Sequence, residues 1–428
     1  MRRELIAFRS LQNDEVFSFI SGLISGSEHI SRGDASDAAS EYCDCIAEMA
    51  ASAENNGISG NIWNSWVAML LASCETPFAL AQERRAPLKG TLSRIVLEDL
   101  DTIFSYLDFD LNKIDEELGV SAFGRFGDYE PLSLDVPLCG MMAEKNIQCL
   151  ADSIAKASSG EELRDALMGF YSHKGVGLFA LNKAFRWDAR EREITPVTHT
   201  DDITLSSLVG YEEQKKMLVD NTLAFLEGRP ANNVLLYGES GTGKSSSIKA
   251  LLNEYESKGL RMIEVYKHQI EDLDTIIDTI KNRSYKFIIF MDDLSFEHFE
   301  VEYKFLKAFI EGGLEKRPDN VLIYATSNRR HLMKETWADR DDKYEDMHES
   351  ETEQERMSLV DRFGLMISYF SPAQEEYFEI VYALAKEYGL SVSDEELERG
   401  AIQWELKHGG FSGRSARQFV EFLAGKNK

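Results

Sequence analysis

Gly238, Gly243, Lys244 and Ser245 stand at the spacing G-x-x-x-x-G-K-[ST] within NVLLYGESGTGKSSS, which begins at Asn233. Glycines at these places let backbone N–H groups turn inward around phosphate oxygens. The cradle then runs through Glu239, Ser240, Gly241 and Thr242 to Lys244, with Ser245 and Ser246 opening the next element. Lys244 can reach the β- and γ-phosphates, and the Ser245 hydroxyl can sit on Mg²⁺. The apolar run before the turn reads as a buried strand. The pattern after it reads as a helix whose positive end faces the anion. A nucleotide phosphate is the ligand this chemistry suits.

A cradle alone cleaves nothing. About fifty residues on, KFIIFMDDLSFE runs apolar into Asp292 and Asp293. A carboxylate at the end of a buried strand can hold Mg²⁺, usually through water, which is the role for Asp292. Asp293 can orient and deprotonate a water, with Glu297 as a second candidate. A further buried run, NVLIYATSNRR, ends in Thr326, Ser327 and Asn328. Its polar end sits beside the γ-phosphate if this strand lies between the cradle strand and the Asp-bearing one. No NKxD guanine reader follows, which argues against a guanine nucleotide.

These residues need a scaffold. NVLLYG, RMIEVY, KFIIFMDD, NVLIYATSN and LMISYF are short, almost continuously apolar runs separated by helical patterns. Strands buried on both faces of a parallel sheet read this way, and the helices between them make βαβ units. From Pro372 three helical patterns follow, with Gly389 and Gly409 placed to stop the first two and Ser393 with Glu396 at capping-box spacing. Ahead of the core, residues 1–190 carry apolar residues at helical spacing, with Trp63, Trp66 and Phe104 as core and Thr91 as an N-cap. REREITPVTHTDD reads as a linker, placed at 191–202. The expected division is a helical domain at 1–190, the linker, an α/β core at 203–371 and a helical lid at 372–428. An acid-crowded stretch from Glu335 reads as a solvated loop.

The 428 residues allow two or three domains, and the formal charge is −27. Such charge favours solubility and argues against bulk nucleic-acid binding. The five cysteines form no zinc-type pair, and Cys43 and Cys45 fall in a helical pattern, so free thiols in a reducing cytoplasm are expected. Arg9 and QNDE interrupt the first apolar run, so no signal peptide is expected, and no run is long enough to span a membrane.

Taken in order, the core motifs resemble those of the AAA+ ATPases over about residues 203–425. GESGTGKS resembles the Walker A element and IIFMDD the Walker B element, while Asn328 matches sensor 1. LVGYEEQK, with Val209 and Gly210, looks like the segment that packs on adenine. DRFG places Arg362 where the family carries an arginine finger. SGRSAR offers Arg414 as sensor 2, with Arg417 as second choice. Several phrases, among them LLYGESGTGKSSSIKALLNEY and EGGLEKRPDNVLIYATSNRRHL, look like a bacterial AAA+ group of unassigned cellular role.

The resemblance implies a P-loop NTPase fold of class α/β: a five-stranded parallel sheet, a small helical C-terminal lid and a mostly α-helical N-terminal domain. It implies ATP with Mg²⁺, hydrolysis in a homo-oligomer whose neighbour donates Arg362, and an unknown protein partner held by the N-terminal domain. Two departures stand out. The family usually ends Walker B in Asp-Glu, whereas this chain has Asp-Asp. The family's unfoldases carry an aromatic–apolar–Gly pore loop after the second strand, whereas here the position reads YKHQIEDLD. Two alternatives follow: a nucleotide-gated switch or scaffold with little turnover, and a helicase-loader-like ATPase using Arg329 and Arg330.

Overall fold

The computed structural model describes residues 4–26, 35–132, 140–296, 302–311, 318–329, 332, 362–408 and 410–426. Glu297, Arg330, Asp361, Gly409 and the acidic stretch from Glu335 lie outside them. The chain divides into two compact units, Met1–Lys183 with Pro196–His199, and Ala184–Thr195 with Thr200–Lys428.

The first unit is built from helices, the longest being Ala35–Asn56, Thr91–Leu107 and Gly160–Lys174. Two short strands, β1 (Gly60–Asn61) and β2 (Asp128–Tyr129), pair antiparallel. Phe17 and Trp63 stack at 5.8 Å in the core, and Trp66 is buried beside them. Phe104 packs on the same cluster, half-buried. Asp14 caps the helix Glu15–Ile24 and also accepts the Trp66 indole N–H. The buried Asp99 carboxylate gathers the amides of Ile6, Ala7 and Phe8, each within 3.1 Å. Thr91 is the first helical residue rather than the cap. Gly90 precedes it at φ 75°, a backbone value that a β-branched threonine resists. Cys43 and Cys45 do fall on a helix, and both are free thiols.

The second unit is organised on a sheet of seven strands, not five. They are β3 (Ala184–Asp188), β4 (Glu193–Pro196), β5 (Val234–Gly238), β6 (Leu260–Glu264), β7 (Lys286–Met291), β8 (Val321–Ser327) and β9 (Leu365–Tyr369), in the spatial order β4-β3-β6-β7-β8-β5-β9. The five expected strands are all present and adjacent, and they pair parallel throughout. Every residue of β8 is buried, which explains its unbroken apolar run. The two additional strands come from AFRWD and from EITP, within the stretch expected to be helix and linker. Their signal is weaker because β3 has alternating exposure, with only Phe185 and Trp187 turned fully inward. Trp187 is also tied by its indole N–H to Asp272, and β3 pairs parallel with β6.

Three helices, Gln374–Glu387, Asp394–His408 and Gly413–Lys426, share a core of Tyr377, Val381, Leu397, Ala401, Phe419 and Val420. Gly389 follows the first of these at φ 64°, the left-handed conformation of a helix stop. The second begins immediately after Ser393. Where RMIEVY gives way to YKHQIEDLD, a 3₁₀ helix, Lys267–Asp272, follows β6.

Candidate nucleotide site

The site forms at the C-terminal ends of β5, β7 and β8. β8 lies between the cradle strand and the Asp-bearing strand, which is the condition for Asn328 to face a phosphate. The chain leaves β5 through Gly238 at φ 138°. A side chain there would put its Cβ 1.9 Å from the Tyr369 carbonyl oxygen, so only glycine fits. The Glu239 amide donates to that same carbonyl at 3.0 Å. The turn ends at Gly243, φ 92°, and the helix Lys244–Tyr255 begins. Among the described residues, no backbone carbonyl accepts from the amides of Gly241, Gly243, Lys244 or Ser245. Unmet amides at a helix N-terminus carry a partial positive charge and suit an anion.

The Lys244 ammonium lies within this turn. It donates to the carbonyls of Gly238 at 3.0 Å and Glu239 at 2.6 Å, and to Asn328 Oδ1 at 3.1 Å. Burial pushes its pKa below the usual lysine value, Asp293 and Asp292 oppose that shift, and Arg414 adds to it. Asn328 in turn donates from Nδ2 to Asp293 Oδ1 at 2.8 Å, so lysine, amide and carboxylate form one chain. Asp292 Oδ1 accepts from Ser245 Oγ at 2.5 Å and from Thr326 Oγ1 at 2.6 Å.

These groups line a cavity of about 580 Å³. At the glycine turn it is lined by Ser240 to Ser247, Asp292, Asp293, Thr326 and Asn328. Its other end has Leu208, Val209, Gly210 and Tyr211, with Ile380 and Leu384 from the first C-terminal helix. Val209, Leu208, Ile380 and Leu384 give that end apolar side chains, with Ser207 and Lys215 also among the lining residues. Tyr211 stacks on Tyr369 at 4.9 Å and donates from its hydroxyl to the Phe370 carbonyl. Arg414 and Arg417 line the cavity from the last helix. The Arg414 amide donates to the Gly241 carbonyl at 3.2 Å, and its guanidinium reaches Ser240 Oγ at 3.4 Å. In a chain of charge −27, Lys244, Arg414, Arg417 and Lys215 converge on one cavity.

The donor set also fits a hard divalent cation. Ser245 Oγ and Asp292 Oδ1 are adjacent oxygens, the ligand type Mg²⁺ takes. Two carboxylates facing an anion-suited turn would repel a phosphate there unless a cation lay between them.

The family described as a protein of unknown function, DUF815, matches residues 180–427. The chain belongs to this family. No curated protein matches it. Among solved structures, the chain is similar to the RuvB Holliday junction branch migration motor of Thermotoga maritima. Identity is 16%, over 52% of this chain and 72% of that one, with a TM-score of 0.33. It is also similar to the AAA domain of FIGL-1 in complex with ADP. Here identity is 20%, over 53% of this chain and 74% of that one, with a TM-score of 0.37.

Every residue of the cavity falls inside the DUF815 match. The strand that ends in the paired acids, the polar-ended strand and the strand before the glycine turn are neighbours in the sheet, in that order. Of the expected residues, Val209, Gly210, Ser240, Gly241, Thr242, Gly243, Lys244, Ser245, Ser246, Asp292, Asp293, Asn328 and Arg414 line the cavity together. Gly238 and Glu239 stand behind it and hold Lys244 by their carbonyls, while the Glu239 carboxylate accepts from Ser371. Arg362 sits in the turn before β9, half-buried, and is not among the lining residues.

Several lining residues carry no role in the sequence reading, among them Thr326 and Lys215. Thr326 was visible as a polar strand end. Lys215, buried, donates to the Leu208 carbonyl and to Glu212, each at 2.7 Å. Its only sequence signal is the i, i+3 pairing with Glu212.

Proposed function

We propose that the chain is a Mg²⁺-dependent ATPase of the AAA+ type that works in an assembly on a macromolecular partner. The observation that carries this reading is the pairing of Ser245 with Asp292 at the mouth of an amide-rich turn, with Lys244 inside it. In this reading the amides of residues 240–244 and the Lys244 side chain hold the β- and γ-phosphates, the Glu239 amide being taken by the Tyr369 carbonyl. The adenine lies against Val209, Gly210 and Ile380. Ser245 and Asp292 hold Mg²⁺, which when bound would offset phosphate charge. Asp293 takes a proton from the attacking water, and Asn328 orients that water. Arg414 from the helical lid meets the phosphates from the other side, with Arg417 as its substitute. Positioning and charge stabilisation are the main demands of phosphoryl transfer.

Arg362 serves a neighbouring subunit's nucleotide as the finger. The helical first domain recruits the partner. Among the described residues no helix is long and apolar enough to cross a membrane.

A second reading, a nucleotide-gated switch with little turnover, draws on the closed chain Lys244–Asn328–Asp293, which occupies the proposed base in hydrogen bonding. Phosphate release from ATP and GTP, with Lys244→Ala as control, separates the readings. ATP-selective release lost in Lys244→Ala supports the ATPase. Tight ATP binding without release supports the switch, and no nucleotide binding ends both.

A further inference from the structure

We propose that Thr326 is a positioning residue that fixes Asp292 and Asp293 relative to one another, a role that rests on the ATPase reading above. Three consecutive residues leave β7, and Thr326 holds each of them. Its hydroxyl donates to Asp292 Oδ1 at 2.6 Å. The same oxygen accepts the Asp293 amide at 2.9 Å. Its backbone carbonyl accepts the Leu294 amide at 2.7 Å. Thr326 is 1% exposed, so its hydroxyl is largely shielded from solvent. One proton and one lone pair are matched to one carboxylate and one amide, which fixes the rotor completely.

The turn it holds is an unusual one. Asp293 has φ 50°, a left-handed value that non-glycine residues seldom take, and it needs outside support. Walker B elements of the resembling family end in glutamate, and aspartate is one methylene shorter. A shorter arm makes the carboxylate's position depend more on its backbone. The Asp293 backbone is the part that the Thr326 hydroxyl fixes. The hydroxyl thus connects the residue on the cation side to the residue on the water side, and it does so from β8, which also carries Asn328. Ser327 does not share the task, since its hydroxyl accepts the Arg329 amide.

The test uses the full chain with Thr326→Val and Thr326→Ser. Valine has threonine's shape and suits a buried strand, and it leaves the carbonyl bond to Leu294 in place. Steady-state phosphate release gives kcat and KM. A fluorescent ATP analogue, titrated with and without Mg²⁺, reports the cation's contribution to affinity. For Thr326→Val, kcat is expected to fall about tenfold or more, the scale of a lost hydrogen bond to a charged group. KM and the Mg²⁺-free affinity should stay within about twofold, and the Mg²⁺ enhancement should shrink. Thr326→Ser should restore most of both.

An unchanged kcat together with an unchanged Mg²⁺ enhancement in Thr326→Val overturns the proposal. So does a loss of Mg²⁺-free affinity as large as the loss of kcat, because that marks general damage to the strand. If the wild type binds nucleotide without turnover, the Mg²⁺ titration decides alone: a smaller enhancement in Thr326→Val supports the role and an equal one overturns it. A wild type that binds no nucleotide removes the ATPase reading and this role with it.

Discussion

Lys244 and Asn328 are joined across the gap between β5 and β8, Nζ to Oδ1 at 3.1 Å. Through the Asn328 amide the contact continues to Asp293, so the group proposed to grip phosphate is linked to the group proposed to activate water. A bound γ-phosphate would compete for Lys244 and loosen this chain. Asn328→Ala removes the link and the water's second anchor together, while the cradle's amides remain. ATP affinity should stay within about threefold and kcat should fall by about tenfold or more. Equilibrium binding beside phosphate release checks this. An equal loss in both would show Asn328 to be a binding residue instead.

Asp293→Asn keeps the size of the side chain and removes its basicity. ATP should bind at near wild-type affinity and persist uncleaved, which is measured by separating bound ATP from ADP after a single turnover. The expected drop in rate is about 10² to 10⁴-fold, the usual contribution of a general base. Normal hydrolysis in Asp293→Asn would transfer the assignment to Glu297.

The lowered pKa of Lys244 has a consequence for pH. Burial disfavours its charged form in the free protein, whereas a triphosphate beside it favours that form. The bound pKa therefore lies above the free one. Affinity should be full at pH values below the free pKa and fall as pH rises through it, at a point below the ordinary lysine value of 10.5. Calorimetric titration with ATP across the alkaline range, in buffers of different ionisation enthalpy, would register proton uptake on binding. Lys244→Arg keeps its charge throughout and should flatten the trend.

The parts of the site legible in the sequence are those where backbone demands and chemistry coincide. Gly238 must be glycine because the Tyr369 carbonyl occupies the place of a side chain, and Asp292 must follow an apolar run because β7 is buried. The strands β5, β6 and β8 announce themselves for the same reason, while β9 is a half-buried edge strand that still reads as an apolar run. β3 and β4 do not. Phe185 and Trp187 alternate with outward residues, and EITP is four residues long inside a polar stretch. The roles of Thr326 and Lys215 escape notice for another reason. Their roles are set by neighbours distant in sequence, at Asp292 and Asp293 for one and at the Leu208 carbonyl for the other. A motif records what a segment does by itself, and it is silent on which strand end a threonine will face.

Arg362 supplies the last prediction. It precedes β9, whose residue Tyr369 holds the Glu239 amide and stacks on Tyr211, yet its own side chain is not among those lining the cavity of its own chain. A finger that serves a neighbour makes turnover depend on assembly. Activity per subunit should rise with protein concentration, and Arg362→Ala should lower it by roughly 10³-fold with little change in ATP affinity. Mixing supplies the decisive measurement. Lys244→Ala retains its arginine and lacks a working cradle, whereas Arg362→Ala retains its cradle and lacks the arginine. Combined, the two inactive proteins should recover activity, because each Arg362→Ala cradle can then adjoin an intact arginine. No recovery, together with a flat dilution series, would assign Arg362 to the fold of its own subunit.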